Sequence, residues 1–472
     1  MVLMMQWGLV IDFTIICVSL LAASLLRSRL RFLQRFLVPN AITAGFIGLG
    51  LVYLTEAFVP ELMPSRELLG NIVYHLLAVT FIAIALKRRE RYVDRNAVIT
   101  ACHLSLGYAV EGFTGYVLTL VFIFTFMPDL FPTFGMLFAI GFGQSSGQAF
   151  ALGRGWESLG FVNGGTVGLT FGSLGFLWAC FVGIPFLNWG IRRGYVKGLN
   201  VETLRNRGFL SRGERGEPTG RMTTHPDVMA TGSFHIAFIG SVYLVNYFFI
   251  KALVSLIGLI GSDYALQLAQ VLWAYHAFFG TIIALLVGMA LTRMRLHHLL
   301  DDDVLTGIST ASVDFLVTAA IMAIEVVVVA RYIVPILTIA VLGGAGVMAL
   351  VVFLAKRSYR DFFFYRVISI FGLLTGTIST GLALLRVIDP GYRTPAARDL
   401  VLGSGFSLFF AFPLLLLINM PALNRTARIY LITAFAILGY IAVTLAVMVA
   451  TGLLRLRKNL QVPDLWVNRK SP

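Results

Sequence analysis

The sequence predicts an all-α polytopic membrane protein, with two inverted five-helix repeats that each carry a re-entrant hairpin, plus one extra C-terminal transmembrane helix. Three observations predict this fold: the composition, the spacing of the apolar segments and the distribution of Lys and Arg. Of the 472 residues, 58% are hydrophobic and 13% are charged, and the mean hydropathy is +0.85. A soluble protein of this length needs far more polar surface than this composition supplies.

Eleven apolar segments are long enough to cross a hydrocarbon core of about 30 Å. They lie near residues 8–27, 38–58, 68–87, 97–125 and 160–190, and then near 235–260, 268–291, 309–329, 333–355, 398–420 and 427–454. Two weaker segments, 133–155 and 365–387, interrupt their apolar residues with Gly, Ser and Thr. No cleavage site follows the first apolar run, so we expect it to remain as a helix.

The basic residues decide whether the two weaker segments cross the membrane. Lys and Arg concentrate in cytoplasmic loops, and here the clusters follow every second apolar segment, beginning with the first. This alternation holds only if 133–155 dips in from outside and 365–387 dips in from inside, with the N-terminus outside and the C-terminus cytoplasmic. Only six of the 37 Lys and Arg residues then lie elsewhere: Arg66, Arg154, Lys251, Arg331, Arg425 and Arg428.

The alternation also divides the chain. Residues 1–190 form the first repeat, 191–232 a cytoplasmic linker without apolar periodicity, 233–420 the second repeat, and 421–472 the extra helix and a cytoplasmic tail. Weak sequence symmetry relates the repeats, because HLLAVTFIAIAL from His75 aligns with DFLVTAAIMAIEV from Asp314. In inverted repeats, discontinuous helices from opposite faces meet near the midplane and form the substrate site.

Several classes of function do not fit this pattern. The net charge of +14 is spread over short clusters between apolar runs, so it predicts membrane topology rather than nucleic-acid binding. There is no Walker loop, HExxH, GxSxG or catalytic carboxylate pair, so no enzyme and no organic cofactor is predicted. The three cysteines, Cys17, Cys102 and Cys180, each lie within an apolar run, where we expect them to pack.

The two polar interruptions are the candidate site, because polar backbone at membrane depth persists only where protein buries it or a wet cavity adjoins it. The first interruption reads GFGQSSGQAFALGRG at residues 141–155. The predicted substrate-binding residues are Gln144, Ser145, Ser146 and Gln148 in the first segment, and Thr375, Thr377, Ser379 and Thr380 in the second. The alternatives are hydrogen bonds between helices for the first group and bonds back to the same helix for the second.

Two acidic residues inside apolar segments are candidates for ion coupling, together with the hydroxyls of Ser146 and Thr377. Glu111 lies in mid-helix, where an ionised carboxylate costs about 2.5–3.5 kcal/mol. It therefore needs a cavity, a proton or a partner, and the alternative to coupling is a pair with His103. Asp314 lies early in its predicted helix, and its alternative role is an N-terminal cap.

Four other features have structural alternatives. Arg154 and Arg386 end the two polar segments, where each either attracts an anionic substrate or anchors the chain at the interface. Glu325 and Arg331 are expected to form a structural pair. The small-residue repeat at Gly164, Gly168 and Gly172 is expected to pack closely against the first polar segment.

Some of these residues resemble a known family. The segment GQSSGQAF, followed by WESLGF and a Gly-rich helix ending GIP at residues 183–185, is similar to the first signature of the bacterial sodium:glutamate symporters. FGLLTGTIST from Phe371 is similar to the second, and the resemblance covers residues 8–420. It implies a homodimeric carrier of the bacterial inner membrane, with sodium as the coupling ion and glutamate or a similar small anion as substrate.

The chain departs from the family pattern in both signatures. At 143–147 it reads GQSSG where the family has Gly-His-Gly-Thr-Gly, so an amide replaces an imidazole while Ser146 keeps the hydroxyl. At 375–379 it reads TGTIS where the family has Gly-Ala-Thr-Pro-Thr, and Glu111 stands about where the family has an amide. Hydroxyl and carbonyl oxygens still suit a hard cation. The alternatives are proton-coupled transport of another organic anion, or a non-transporting membrane sensor on a transporter scaffold.

Overall fold

The computed structural model describes residues 2–35, 38–88, 94–196, 220–223, 227, 229–261, 263–389 and 393–455. Over these residues the chain is helical, without strands. Most of the predicted linker and the predicted tail, at 197–219 and 456–472, lie outside the described residues.

Twenty α-helices follow one another along the described residues. Those of the first half are α1 (Val2–Arg29), α2 (Arg31–Arg35), α3 (Asn40–Phe58), α4 (Arg66–Leu86), α5 (Arg95–Thr125), α6 (Met136–Gly143), α7 (Ser146–Glu157), α8 (Gly164–Trp178) and α9 (Ile184–Arg192). Those of the second half are α10 (Thr231–Gly258), α11 (Asp263–Leu272), α12 (His276–Arg293), α13 (Asp302–Met322), α14 (Val326–Arg331), α15 (Ile333–Ser358), α16 (Phe363–Leu374), α17 (Ile378–Ile388), α18 (Ala396–Leu417), α19 (Met420–Leu423) and α20 (Ala427–Ala450).

Eleven helices of the described chain are long and apolar enough to cross a membrane. A π-turn at Ala179–Gly183 joins α8 to α9, so that Gly164–Arg192 forms one span. Each of the eleven overlaps one predicted apolar segment, with the largest displacement at Asp302–Met322, predicted at 309–329. The prediction of a polytopic, all-helical membrane protein is therefore confirmed.

The helices of the two halves pack in matching ways. Helices α4 and α13 pack on each other, α3 packs on α13, and α12 packs on α4. Likewise α1 packs on α3 and α10 packs on α12. Leu77 and Leu316, which occupy equivalent positions in the two aligned runs, both lie against Gly147, where a Cβ atom would be 3.2 Å from the Cδ1 atom of each.

The long helix α5 packs against α6, α15, α16, α18 and α20. The main chains of Gly115 and Gly135 are in contact, because neither residue has a side chain to separate α5 from the start of α6. The last helix, α20, packs on α5 and α18 and buries Thr433, Ile437 and Met448.

The start of helix α13 excludes one of the two roles considered for Asp314. It begins at Asp302, and Asp301 is its cap, accepting hydrogen bonds from the backbone N–H groups of Asp303 and Val304 at 3.0 Å. Asp314 therefore lies well inside the helix, and its reading as a cap is wrong. The helix was expected to start near residue 309, because the acidic first turn is too polar to extend the apolar pattern.

The expected pair of Glu325 and Arg331 is also wrong. Helix α13 ends at Met322, and the two residues lie at opposite ends of the short helix α14. The guanidinium of Arg331 lies over the ring of Tyr332, 5.5 Å from its centroid. No ion pair among the described residues joins Glu325 to Arg331.

Candidate functional site

Glycines of α8 let α7 approach it at main-chain distance. A Cβ atom at any of the three positions of the small-residue repeat would collide with α7. The contacts pair Gly164 with Gly153, Gly168 with Ala149, and Gly172 with Ser146, so α7 runs antiparallel to α8. The repeat at Gly164, Gly168 and Gly172 therefore packs as expected.

Helix α6 runs along α8 in the opposite direction to α7. The rings of Phe134 and Phe161 are 6.0 Å apart near the start of α8, and those of Phe138 and Phe171 are 5.9 Å apart further along. Phe142 then reaches Gly175. The break between α6 and α7, at Gln144 and Ser145, therefore lies beside the middle of the span formed by α8 and α9.

The break between α16 and α17 reaches the same level from the other end of that span. Going along α16, Phe364 contacts Gly190, Phe371 contacts Gly183, and Thr375 contacts Gly175. A Cβ atom on Gly175 would lie 2.9 Å from the carbonyl oxygen of Thr375 and 3.1 Å from the Cα atom of Phe142. The segments at the two breaks, which are far apart in the sequence, thus both pack against Gly175.

The predicted residues of the first break are buried or half-buried. Ser145 caps α7, its Oγ accepting from the backbone N–H of Gln148 at 3.1 Å. Ser146 and Gln148 are 1% and 6% exposed, and the Oγ of Ser146 and the Oε1 of Gln144 are buried without a hydrogen-bond partner. In the described chain, the side chains of these four residues form no hydrogen bonds to another helix.

The residues of the second break differ from one another. The hydroxyl of Thr375 donates to the carbonyl of Phe371 at 2.8 Å. This bond to its own helix is the structural role that the sequence offered as the alternative to substrate binding. Thr377 and Thr380 face each other, with their Oγ1 atoms 3.5 Å apart. Ser379 is exposed. Thr377 and Thr380 are therefore the better placed of the four to bind a ligand.

Glu111 lies directly beside the first break. Its side chain is fully buried and neither carboxyl oxygen has a hydrogen-bond partner. A Cβ atom on Gly143, the last residue of α6, would lie 2.7 Å from Glu111 Oε2 and 2.7 Å from the ring of Tyr108. The carboxyl group thus contacts the main chain where α6 ends.

The alternative role for Glu111, a pair with His103, is not found in the structure. His103 lies two turns earlier, about 12 Å along the helix axis. Its Nε2 atom is hydrogen-bonded to the Oγ of Ser358 on α15, at 2.9 Å.

A cavity adjoins the first break between α5, α6, α18 and α20. Tyr108 and Gln144 form its polar edge, and Gly112, Leu414 and Ile437 are among its apolar walls. The unpartnered amide oxygen of Gln144 belongs to a residue of this edge. The cavity gives a water molecule a place beside the break.

Three other candidates have no hydrogen bond or ion pair to residues of the breaks among the described residues. Arg154 pairs with Glu157 at 3.2 Å, and its side chain is 52% exposed. Arg386 is exposed near the end of α17. Asp314 is half-buried in α13, two residues before Leu316, which contacts Gly147. Neither arginine contacts the breaks. Anchoring the chain at the membrane interface therefore fits both residues better than attracting an anionic substrate.

Sequence reasoning missed the buried ion cluster at the start of α16. The side chain of Arg366 is fully buried; its Nε donates to Asp399 Oδ2 at 2.9 Å and its NH1 to Asp361 Oδ1 at 2.6 Å. Its guanidinium also lies 4.7 Å from the ring centroid of Tyr359. The sequence signal for this cluster is an arginine inside the apolar run FFFYRVISIF, whereas the topology argument uses Arg366 only as a cytoplasmic charge.

A second buried hydrogen-bond network attaches the C-terminal end of α7 to the residues that follow α18 and precede α12. Trp156 Nε1 donates to Asn419 Oδ1 at 2.8 Å, and Asn419 Nδ2 donates to the hydroxyl of Tyr275 at 2.5 Å. Each pair of short helices is thus held at the end away from its break.

The chain matches no protein-family model, and no curated protein is significantly similar to it in sequence.

Proposed function

We propose that this protein is a secondary active transporter that couples the uptake of glutamate, or a related small organic anion, to sodium by alternating access. One observation carries the proposal: two polar helix breaks approach Gly175 from opposite ends of the α8–α9 span. Transporters with inverted repeats build their substrate sites from discontinuous helices in this way. The resemblance of both breaks to the symporter signatures supports sodium and glutamate in particular.

The packing supports re-entrant hairpins and an inverted repeat. Helices α6 and α7 run in opposite directions along α8, so the ends remote from their break both lie near its beginning. Helices α16 and α17 approach from the opposite end of the span. The matched packing of α3 on α13 and of α12 on α4 is what two related halves would produce.

The breaks contain groups that suit an anion and groups that suit a cation. Helices α7 and α17 begin at the breaks, and the N-terminus of a helix favours negative charge, such as a substrate carboxylate. The hydroxyls of Ser146 and Thr377 and the carbonyls freed at each break are the hard oxygen ligands that sodium prefers. Ser146 Oγ is buried without a partner, which is unusual unless a ligand or water completes its bonding.

The test is uptake by the purified protein in proteoliposomes. An imposed inward sodium gradient should drive labelled glutamate, or another member of a panel of small organic anions, above its equilibrium concentration. A sodium ionophore should abolish the accumulation. If no member of the panel accumulates under a sodium or a proton gradient, the transporter proposal is wrong, and binding without flux would indicate a sensor.

A further inference from the structure

Glu111 is an acidic residue with no role in the proposed function, at a depth where an ionised carboxylate is energetically unfavourable. It lies in the middle of the membrane-spanning helix α5, it is fully buried, and both carboxyl oxygens lack partners. An ionised carboxylate at this depth costs several kcal/mol when nothing compensates it. A structural role would normally come with donors for its oxygens, and none is present among the described residues.

No cation neutralises Glu111 from the helices packed on α5. Within α5, Tyr108 is the nearest ionisable group, and its hydroxyl lies near Ser407 of α18. Helix α6 carries no ionisable side chain. The charged groups of the other described neighbours are engaged or at the far ends of their helices: Asp399 of α18 binds Arg366 of α16, Arg398 lies in the first turn of α18, Lys356 and Arg357 end α15, and Arg428 begins α20.

The position of the carboxyl group links it to the first break. It contacts Gly143, so α6 cannot move at this point without changing what surrounds Glu111. The cavity with Tyr108 and Gln144 at its edge is also lined by Ala109 and Gly112, which lie on either side of Glu111 in the sequence of α5. A rearrangement of the break would therefore bring water to the carboxyl group, or remove it.

We infer that Glu111 carries a proton through the transport cycle. It is neutral while α6 packs against it, and it exchanges its proton with water when the first break rearranges. The proton enters from water on one side of the membrane and leaves to water on the other, with no other bond made or broken. A proton neutralises a carboxylate by itself, whereas a metal cation needs several further oxygen ligands. The inference rests on the proposed transport function and adds a proton to it.

The test compares the wild type with Glu111→Gln in proteoliposomes that contain a trapped pH-sensitive dye. With the wild type, adding the transported anion should move protons, and a proton gradient should change its accumulation. With Glu111→Gln, anion-dependent proton movement should be lost while exchange of labelled for unlabelled anion continues, because exchange needs no net proton transfer. The control Glu56→Gln, at a half-exposed acid near the end of α3, should behave as wild type.

The outcomes separate the two proposals. If the wild type accumulates anion without moving protons, and Glu111→Gln transports equally well, the proton inference is overturned while the transporter stands. If the wild type neither exchanges nor accumulates any anion, the transporter itself fails.

A measurement without substrate keeps the inference testable in that case and when the variant transports poorly. The infrared spectrum of the wild type should contain a protonated carboxyl absorption that fades in alkaline buffer. This absorption should be missing from Glu111→Gln. A spectrum that is identical in the two proteins at every pH overturns the inference.

Discussion

Gly175 of α8 is the residue at which the two polar breaks come closest. Main-chain atoms of both Phe142 and Thr375 lie within 3.1 Å of the position that a Cβ atom on Gly175 would occupy, so a side chain there would have to displace one of them. Main chain gives way less easily than the end of a flexible side chain, so the fit of both breaks depends on this glycine.

We predict that Gly175→Val lowers the initial rate of anion uptake at least tenfold. Overpacking of this kind costs about 1–3 kcal/mol, and here the strain falls on the two breaks themselves. The control is Gly346→Val in α15, where no atom lies within 4 Å of an added Cβ. Uptake that is unchanged in Gly175→Val and in its control would contradict the assignment of the site.

Ser146 presents the opposite case, a buried hydroxyl that has no partner to lose. We predict that Ser146→Ala leaves the melting temperature unchanged or raises it, because an unsatisfied polar group is removed from the interior. The sodium concentration for half-maximal uptake should rise about tenfold, in keeping with a lost ligand worth about 1–2 kcal/mol. Ser241→Ala, at an exposed position of α10, should change neither quantity. A Ser146→Ala variant that melts lower and keeps its sodium dependence would mean that the hydroxyl is structural.

At the scale of elements, the short helices combine a fixed end with a polar end. The cluster of Arg366, Asp399 and Asp361 holds the start of α16, and Trp156 with Asn419 holds the end of α7. The first break, at the other end of α6 and α7, instead contains two buried side-chain oxygens without hydrogen-bond partners, Gln144 Oε1 and Ser146 Oγ. Any movement of these helices is therefore expected at the breaks rather than at the anchored ends.

We predict that Arg366→Met destabilises the protein by about 3–5 kcal/mol, because it leaves Asp399 buried without its partner. The double variant Arg366→Met/Asp399→Leu should recover most of this loss, since it removes both charges. Unfolding in detergent, followed by circular dichroism, measures both effects. Arg386→Met, at an exposed arginine of α17, is the matched control. Equal losses in the single and double variants would show that packing, and not the ion pair, holds this end.

At the scale of the whole molecule, sidedness depends on whether the two pairs of short helices cross the membrane. Four spans separate the end of α3 from the end of α10, and four more separate the end of α10 from Asn424. An even number of crossings returns the chain to the side from which it started. If α6–α7 or α16–α17 crossed as well, the number would become odd.

We predict that cysteines introduced at Phe58, Leu259 and Asn424, all exposed, react with a membrane-impermeant maleimide from the same side of the membrane. Cysteines at Arg193 and Arg295 should react only from the other side. The native cysteines are buried or half-buried and should contribute little background. Labelling of Phe58→Cys and Leu259→Cys from different sides would show that α6–α7 crosses the membrane.

The sequence by itself determined the number and the positions of the membrane-spanning helices. A hydrocarbon core requires about twenty apolar residues per crossing, so each membrane-spanning helix can be recognised from the composition of a short stretch of sequence. The same reasoning located the polar interruptions, because hydroxyl and amide side chains stand out in an apolar chain. The close packing of α7 on α8 was predictable from Gly164, Gly168 and Gly172, since small residues at this spacing form one face of a helix.

Only the tertiary structure decided which distant residues meet. Periodicity reports which face of a helix is apolar, but it carries no information about which helix covers that face. The sequence therefore could not place Thr375 beside Phe142 at Gly175, nor bury Arg366 against Asp399. For the same reason the sequence suggested His103, a nearby residue of the same helix, as an alternative partner for Glu111. In the fold, His103 is hydrogen-bonded to Ser358, and the Glu111 carboxyl group lies against the end of α6.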